Sequence, residues 1–424
     1  MRSKRKVLGT LSIIFILTLG ATQLSAAFFS ETTFENQVTK PEIPKKQQML
    51  NLYWASEIRH PEHELVCLDM LQVEDGFILL AWLQNSPEHR VWLGKTDPRG
   101  VLLWSEEYRV PGQGISGIPR AFCLCSDGGF AITGITYLTD NDYSSFIIRT
   151  SPSGELLWQH IYRCSFIQSA TSIIECSNGD LIFTGDWNVR LEPESGYFAI
   201  RTDSEGNYLW NSSFELYYMR DCRVIEDAVG NILLAGATYR ELRLISLTVD
   251  GVFQWSQNYT ITEHHERMTL FDFKPHKSGG YLLTGRVYRL GYNMGGYQGF
   301  LLRTNELGEF LWNQTYGGLG SDFTSSVFQC NSSGYVLIGS TESMGIHDLD
   351  VWLIRTNEYG TLVTSSVLDN FWFFADSSSR ITGNTIIEAQ PSVFVASSTY
   401  SGSVWLLCFS DPLQVVSYLP ITPY

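Results

Sequence analysis

The chain has 424 residues, 44% of them hydrophobic and 17% charged, which excludes a disordered or low-complexity protein. Its formal charge of −15, with no basic patch along the sequence, keeps it soluble and excludes nucleic acid and anionic lipid surfaces as partners.

The first element stands outside the fold. "MRSKRKVLGTLSIIFILTLGATQLSAAFF" has a basic start, an apolar stretch from Val7 to Leu19 and then small residues, with Ser25 and Ala27 suited to a cut after Ala27. Residues 1–27 are read as a secretory signal peptide, too short for a comfortable membrane span, and the protein as extracellular or cell-surface. An uncleaved N-terminal segment that anchors the chain is the alternative. Residues 28–49 form a polar linker and 50–424 the folded domain.

Beyond the linker one pattern keeps returning. "FAITG" begins at Phe130, "LIFTG" at Leu181, "ILLAG" at Ile232, "YLLTG" at Tyr281 and "YVLIG" at Tyr335, with degenerate copies at Phe77 and Val393. Seven copies recur with a period near fifty residues. Each parses into four strands, a to d, rich in aromatic and β-branched residues and punctuated by Gly, Pro, Asn and Asp. In the second copy they run about 119–125, 130–136, 145–150 and 155–162. The spacing predicts an all-β protein, a seven-bladed β-propeller of four-stranded antiparallel blades.

The c–d hairpin shows its chemistry in stretches such as "FAIRTDSEGNYLW" (198–210). Pro98 and Pro152 suit the first corner of a type I turn, and Gly100, Gly154, Gly206, Gly251, Gly308 and Gly360 suit a following position that needs φ > 0. Four residues after the turn glycine stand Trp104, Trp158, Trp210, Trp255 and Trp312. Four residues into strand b stand Gly134, Gly185, Gly236, Gly285 and Gly339. A ring and a bare backbone recurring once per blade predict ring-on-backbone docking between blades. The alternative is that each Trp sits in its own blade's small core.

"RTDSEGNYLW" is similar to the tryptophan-docking repeat of quinoprotein-like propellers, where an Asp, a turn Gly and a Trp keep this spacing. "SGGYLLTG…FLLRTNELGEFLWNQTYGGLGSDF" resembles the repeats of large extracellular propeller proteins of archaea and some bacteria. The resemblance covers roughly 59–415 and implies the fold. It implies no enzyme, because the adjacent cysteines of quinone-dependent dehydrogenases are missing here; Cys123 and Cys125 are separated by Leu124.

Ring closure poses a counting problem: seven a, b and c strands, but eight d-like segments. "LNLYWASEI" (50–58) puts Trp54 in the docking position, whereas "QVVSYLP" (414–420) lacks Trp and the sixth blade has Thr364 there. The N-terminal segment is expected to complete the last blade and remove an open edge. Most of the eight cysteines are read as small buried packing residues, with one bridge involving Cys164 or Cys408 left open.

Antiparallel blades put the a–b and c–d turns on one face and the b–c and d–a connections on the other. The second set is long and irregular: 109–118, 137–144, 187–196, 286–299, 316–323 and 342–350. That face is the candidate binding face. Tyr143, Trp187, Tyr288, Tyr292 and Tyr297 are its exposed aromatic candidates, suited to stacking on sugars or anchoring a protein, or else to packing the loops. Asp140, Asn141 and Asp142, and less so His347, Asp348 and Asp350, offer oxygen ligands for Ca²⁺, although neither run is a full set. No cofactor is otherwise implied. No catalytic signature stands out, and "HPEHE" (60–64) is read as non-ligating. Asn211, Asn258, Asn313 and Asn331 head glycosylation sequons, three of them on strand d.

The expectation is a secreted or cell-surface binding or scaffold module for a protein or glycan. The alternatives are an extracellular carbohydrate-active enzyme with its site in the central mouth, and a structural component of the cell envelope.

Overall fold

The computed structural model describes residues 52–410, apart from 85, 87–90, 113–116, 140–141, 164–166, 189–194, 216–219, 239, 262–264, 290–295, 332, 345–349, 369–381, 391–392 and 401. The expected signal peptide and linker, and the segment 414–420, lie outside these residues. All regular secondary structure among the described residues is β-strand.

The chain opens with β1 (Leu52–Ile58). Blade 1 holds β2 (Glu64–Val73), β3 (Gly76–Gln84), β4 (Val91–Thr96) and β5 (Leu102–Tyr108). Blade 2 holds β6 (Ile118–Leu124), β7 (Phe130–Thr139), β8 (Asp142–Thr150) and β9 (Leu156–Tyr162). Blade 3 holds β10 (Ile167–Glu175), β11 (Leu181–Asn188), β12 (Ser195–Thr202) and β13 (Tyr208–Glu215). Blade 4 holds β14 (Arg220–Glu226), β15 (Ile232–Ala237), β16 (Leu242–Leu247) and β17 (Phe253–Tyr259). Blade 5 holds β18 (His265–Pro275), β19 (Tyr281–Arg289), β20 (Gly296–Thr304) and β21 (Phe310–Tyr316). Blade 6 holds β22 (Asp322–Gln329), β23 (Tyr335–Thr341), β24 (Asp350–Thr356) and β25 (Leu362–Leu368). Blade 7 holds β26 (Thr382–Gln390), β27 (Val393–Tyr400) and β28 (Ser403–Ser410), and its fourth strand is β1, antiparallel to β28 with Trp54 opposite Cys408. Seven blades of four antiparallel strands make a β-propeller, and the two ends of the described chain meet in one sheet.

The middle strands b and c are buried on both sides, which is why they read as continuous apolar runs. Their side chains form cores between neighbouring blades. Phe183, Phe198 and Ile200 of blade 3 pack with Ala131 and Ile147 of blade 2, and Leu337 and Ile354 of blade 6 with Leu301 of blade 5. The outer strands alternate instead, and the residue before each Trp stays exposed, as at Leu103, Leu157, Leu209 and Leu311.

The c–d hairpin is fixed by short-range chemistry. In blade 3 the Gly206 N–H donates to Asp203 O, with Gly206 at φ +83°, while Asp203 Oδ1 accepts from the N–H groups of Glu205 and Asn207. Asp97, Asn305 and Asn357 do the same in their blades. The arginine two residues earlier in this motif is a buried clamp. Arg149 pairs with Asp127 at 2.6 Å and Arg201 with Asp180 at 2.8 Å, tying the a–b turn to the c–d turn.

The tryptophans do not meet the strand-b glycines, and here the expectation is corrected. A β-carbon added to the turn glycine of the next blade would lie 2.8 Å from the ring of Trp104 (at Gly154), Trp158 (at Gly206) and Trp210 (at Gly251), and 2.6 Å from that of Trp255 (at Gly308). Trp312 covers Gly360 in the same way. The strand-b glycines have a different reason. Strand a bulges opposite them, and its carbonyl fills the space of a side chain: Ser169 O at Gly185, Thr269 O at Gly285 and Phe323 O at Gly339. At Gly236 the Tyr197 hydroxyl does so.

A second tie accompanies each ring. The hydroxyls of Tyr108, Tyr162 and Tyr316, four residues past their Trp, donate to the carbonyls of Gly154, Gly206 and Gly360 at 2.6–2.8 Å, and Tyr259 donates to Gly308. Where that position is Phe214 or Ile58, the serine two residues earlier takes over: Ser212 donates to Gly251 and Ser56 to Gly100, both at 2.7 Å. The Ser56 bond fastens β1 to blade 1, although nothing is described of the Trp54 side chain. Thr364 also gains a reason. Blade 7 has no continuous c–d hairpin, because β28 and β1 come from opposite ends of the chain, so blade 6 faces no turn glycine.

Candidate functional site at the blade 5–6 mouth

The long-loop face is less loopy than its sequence suggests. Strands β7, β11 and β19 run on into the expected loops, which turns several candidates into strand residues. Trp187 is the clearest correction. It lies on β11, is 5% exposed, and its indole N–H donates to Tyr197 O at 3.1 Å within the blade 2–3 core. Strand alternation turns it inward, so it is a packing residue. Tyr143 lies on β8 opposite Tyr137, with its side chain outside the described set, and Tyr292 lies outside the described residues.

Tyr288 and Tyr297 are brought together. They face each other across β19 and β20, their centroids 5.2 Å apart at 69°, edge to face, and both are partly exposed. Arg286, two residues before Tyr288 on the same strand side, lays its guanidinium 4.4 Å from the Tyr297 centroid and 5.6 Å from that of Phe271. Opposite Arg286 stands Gly299, where a β-carbon would lie 2.8 Å from the Thr324 side chain of blade 6. Phe271 is the bulged residue of β18 and meets Phe323 of β22 at 5.8 Å. Arg223 of β14 holds the Phe271 carbonyl at 3.0 Å and so fixes that ring's base.

On the blade 6 side lies a glycine-rich loop, 317–321, held by hydrogen bonds. Asp322 is fully buried and organises it: its carboxylate accepts from the Gly318 N–H at 2.7 Å, the Ser343 hydroxyl at 2.6 Å and the Thr341 hydroxyl. Glu342 accepts from the Ser321 N–H at 3.0 Å. Gly296, at the start of β20, abuts the Gly320 carbonyl, so the tyrosine hairpin rests on this loop. Leu319 stands at its tip, 77% exposed.

Arg286 differs from the other buried and half-buried arginines of the ring. Among the described residues no carboxylate lies within ion-pair distance of it, and its Nε makes only a long contact, 3.4 Å, to the Thr269 hydroxyl. The sequence carries a signal for it. The residue after the strand-b glycine is Ile135, Asp186, Ala237 and Ser340 in blades 2, 3, 4 and 6, and a cation only in blade 5.

Toward the central channel the innermost strands carry a second set. Burial pushes the Asp69 carboxyl above its ordinary range, against the Met70 N–H and the Thr385 hydroxyl, which both donate to Oδ1. Burial would raise Asp272 too, but Lys274 at 2.9 Å, the Val327 N–H and the Ser326 hydroxyl hold it below the usual value.

The remaining candidates resolve as follows. Asp140, Asn141, His347 and Asp348, and the Asp142 side chain, lie outside the described set, and Asp350 is fully buried rather than a loop ligand. Among the described residues no group of three or more His, Cys, Asp and Glu side chains is placed to hold a metal. In "HPEHE", His60 Nδ1 accepts from the N–H groups of Glu62 and His63 while Nε2 meets Glu107 at 3.0 Å, which makes it a loop brace. Cys408 is unbridged and buried, like Cys67, Cys125, Cys176, Cys222 and Cys330; Cys164 lies outside the described residues. Of the sequons, Asn211 and Asn258 are exposed and Asn313 partly so, while Asn331 is tied to Lys277 and Glu388.

No protein-family model matches the chain, and no curated protein matches it. Among solved structures it is similar to the Pan2 WD40 domain of Neurospora crassa, at 10% identity and a TM-score of 0.55, over 87% of this chain and 98% of that one. It is similar to the same degree, 10% identity and a TM-score of 0.55, to a polysaccharide lyase, an ulvan lyase bound to -[GlcA(1-4)Rha3S]-, over 84% of this chain and 96% of that one. At this identity such likeness shows the fold alone: a WD40-like seven-bladed β-propeller.

Proposed function

We propose that this is a secreted or cell-surface binding module that holds a glycan, or secondarily a protein, against the blade 5–6 mouth of its long-loop face. The observation that carries this reading is the Tyr288–Tyr297–Arg286 cluster, aromatic and cationic groups held on paired strands and braced from below by Phe271 and the 317–321 loop. Rings fixed by cross-strand pairing lose little freedom when a sugar stacks on them. The opposite face supports the choice, since its turns spend their acids on their own backbones, as Asp97 and Asp203 do. Secretion rests on the N-terminal pattern, and N-terminal sequencing of the exported protein is expected to begin at Phe28.

Wild-type protein and Tyr297→Ala are applied to arrays of glycans and of extracellular proteins. Binding that the variant loses supports the reading, and binding that it keeps unchanged overturns this location. The enzyme alternative finds one specific observation, the Asp69 carboxyl near the channel, whose raised pKa suits a proton donor. Depolymerisation of a polysaccharide by wild type but not by Asp69→Asn would favour it.

A further inference from the structure

We infer that the ligand of this mouth is an anionic glycan, one whose carboxylate or sulfate is received by Arg286. The inference rests on the reading that the mouth binds a glycan, and it adds the chemical class.

The first ground is the state of Arg286 itself. Stacking on Tyr297 and approaching Phe271 fixes the plane of the guanidinium but uses none of its N–H donors. Among the described residues only Nε has a hydrogen-bond partner, the Thr269 hydroxyl at 3.4 Å. The edge that matches a carboxylate or sulfate in a forked pair is left without an acceptor among the described residues.

The second ground is contrast within one molecule. Arg149 and Arg201 have carboxylates at 2.6 and 2.8 Å, Arg223 and Arg355 have backbone carbonyls, and Arg243 has Asn258 at 2.8 Å. The fold supplies partners to its other buried and half-buried arginines, while exposed ones such as Arg120 and Arg289 stand in solvent. At Arg286 it supplies rings and a facing glycine.

The third ground is that the described acids beside the 317–321 loop are engaged by that loop and by the strand end next to it. Asp322 is saturated by Gly318, Ser343 and Thr341, and Glu342 receives the Ser321 N–H. A chain of formal charge −15 repels anions at long range, so an anionic ligand needs a local cation of this kind.

The probes are oligogalacturonate, chondroitin sulfate oligosaccharides and neutral cello-oligosaccharides of matched length, titrated into wild type, Arg286→Gln, Arg286→Lys and Tyr297→Ala. Thermal melts verify folding, which Arg286→Gln leaves intact because it breaks no ion pair among the described residues. The expected result is binding of an anionic set, at least tenfold stronger than the neutral set. It falls about tenfold or more in Arg286→Gln, is partly restored in Arg286→Lys, and weakens with added salt in wild type and Arg286→Lys but not in Arg286→Gln. Neutral saccharides bound equally by wild type and Arg286→Gln, but lost in Tyr297→Ala, would overturn the anionic class and leave the mouth in place. So would a protein partner that needs Tyr297 and ignores Arg286. If no probe binds and Tyr297→Ala changes no contact on either array, the reading of the mouth fails and takes this inference with it.

Discussion

Replacing Trp210 with Ala tests how the ring is held. The indole covers the Gly251 turn of blade 4, its N–H donates to Val249 O at 3.2 Å, and the side chain is partly buried. A partly covered Trp removes on the order of 120 Å² of apolar surface from water, worth about 3 kcal/mol at 25 cal/mol per Å². The hydrogen bond adds about 1 kcal/mol, and freeing the side chain returns about 1 kcal/mol. The position is at the rim, where water refills the gap, so the cavity contribution is small. The expected loss is about 3 kcal/mol, read as a lower urea midpoint by circular dichroism. Leu209→Ala, one residue away and 48% exposed, is the control and is expected to lose less than about 1 kcal/mol. A Trp210→Ala midpoint indistinguishable from that of Leu209→Ala would refute the reasoning, because it would mean the ring adds nothing beyond its exposed neighbour.

Gly206→Val is expected to cost at least about 2 kcal/mol, since a branched residue at φ +83° is strained and would also strike Trp158 and His160; chemical denaturation reads it. Burial, then the nearby Arg303 and Lys277 charges, hold His276 down at about 4. Its neutral form is the folded one, so that stability is present above pH 6.5 and is lost as pH falls from 6.5 toward 4. After allowance for its partial exposure this amounts to about 1–2 kcal/mol, and His276→Gln is expected to flatten melting temperature across that window relative to wild type. A chain beginning at Glu57 lacks most of β1 and is expected to melt well below one beginning at Lys45 and to aggregate through the exposed edge of β28; equal melting temperatures for two soluble monomers would show β1 to be dispensable. Asn211 and Asn313 share a strand face with exposed Leu209 and Leu311, so glycopeptide mass spectrometry is expected to find sugar at both and none at Asn331, whose amide is engaged; Asn211→Gln with Asn313→Gln is then expected to aggregate more readily.

The ring was legible because its signals are local and repeated. A turn glycine, an Asx residue and buried strand pairs each state a backbone requirement, and seven copies make chance agreement improbable. The partner of the tryptophans was not legible. Two glycine series share one period, and only the lateral offset between blades decides that the ring reaches the turn rather than strand b. Trp187 was misplaced because strand length is: once β11 extends to Asn188, alternation carries the side chain inward. Tyr288 and Tyr297 are legible as aromatics, but Arg286 is not, because a lone arginine beside a repeat glycine carries weight only when the blades are compared position by position. Asp322 is illegible for a different reason: its meaning lies in a loop and a strand that it joins across space.

Hydroxyl-radical footprinting of tyrosines, with and without whichever ligand the arrays return, decides where this protein binds. Protection of Tyr288 and Tyr297, with Tyr208 and Tyr359, exposed near the opposite turns, as reactive as before, is the expected result. Protection of Tyr208 or Tyr359 with Tyr288 and Tyr297 unchanged would place binding on the short-turn face and contradict the assignment of the blade 5–6 mouth.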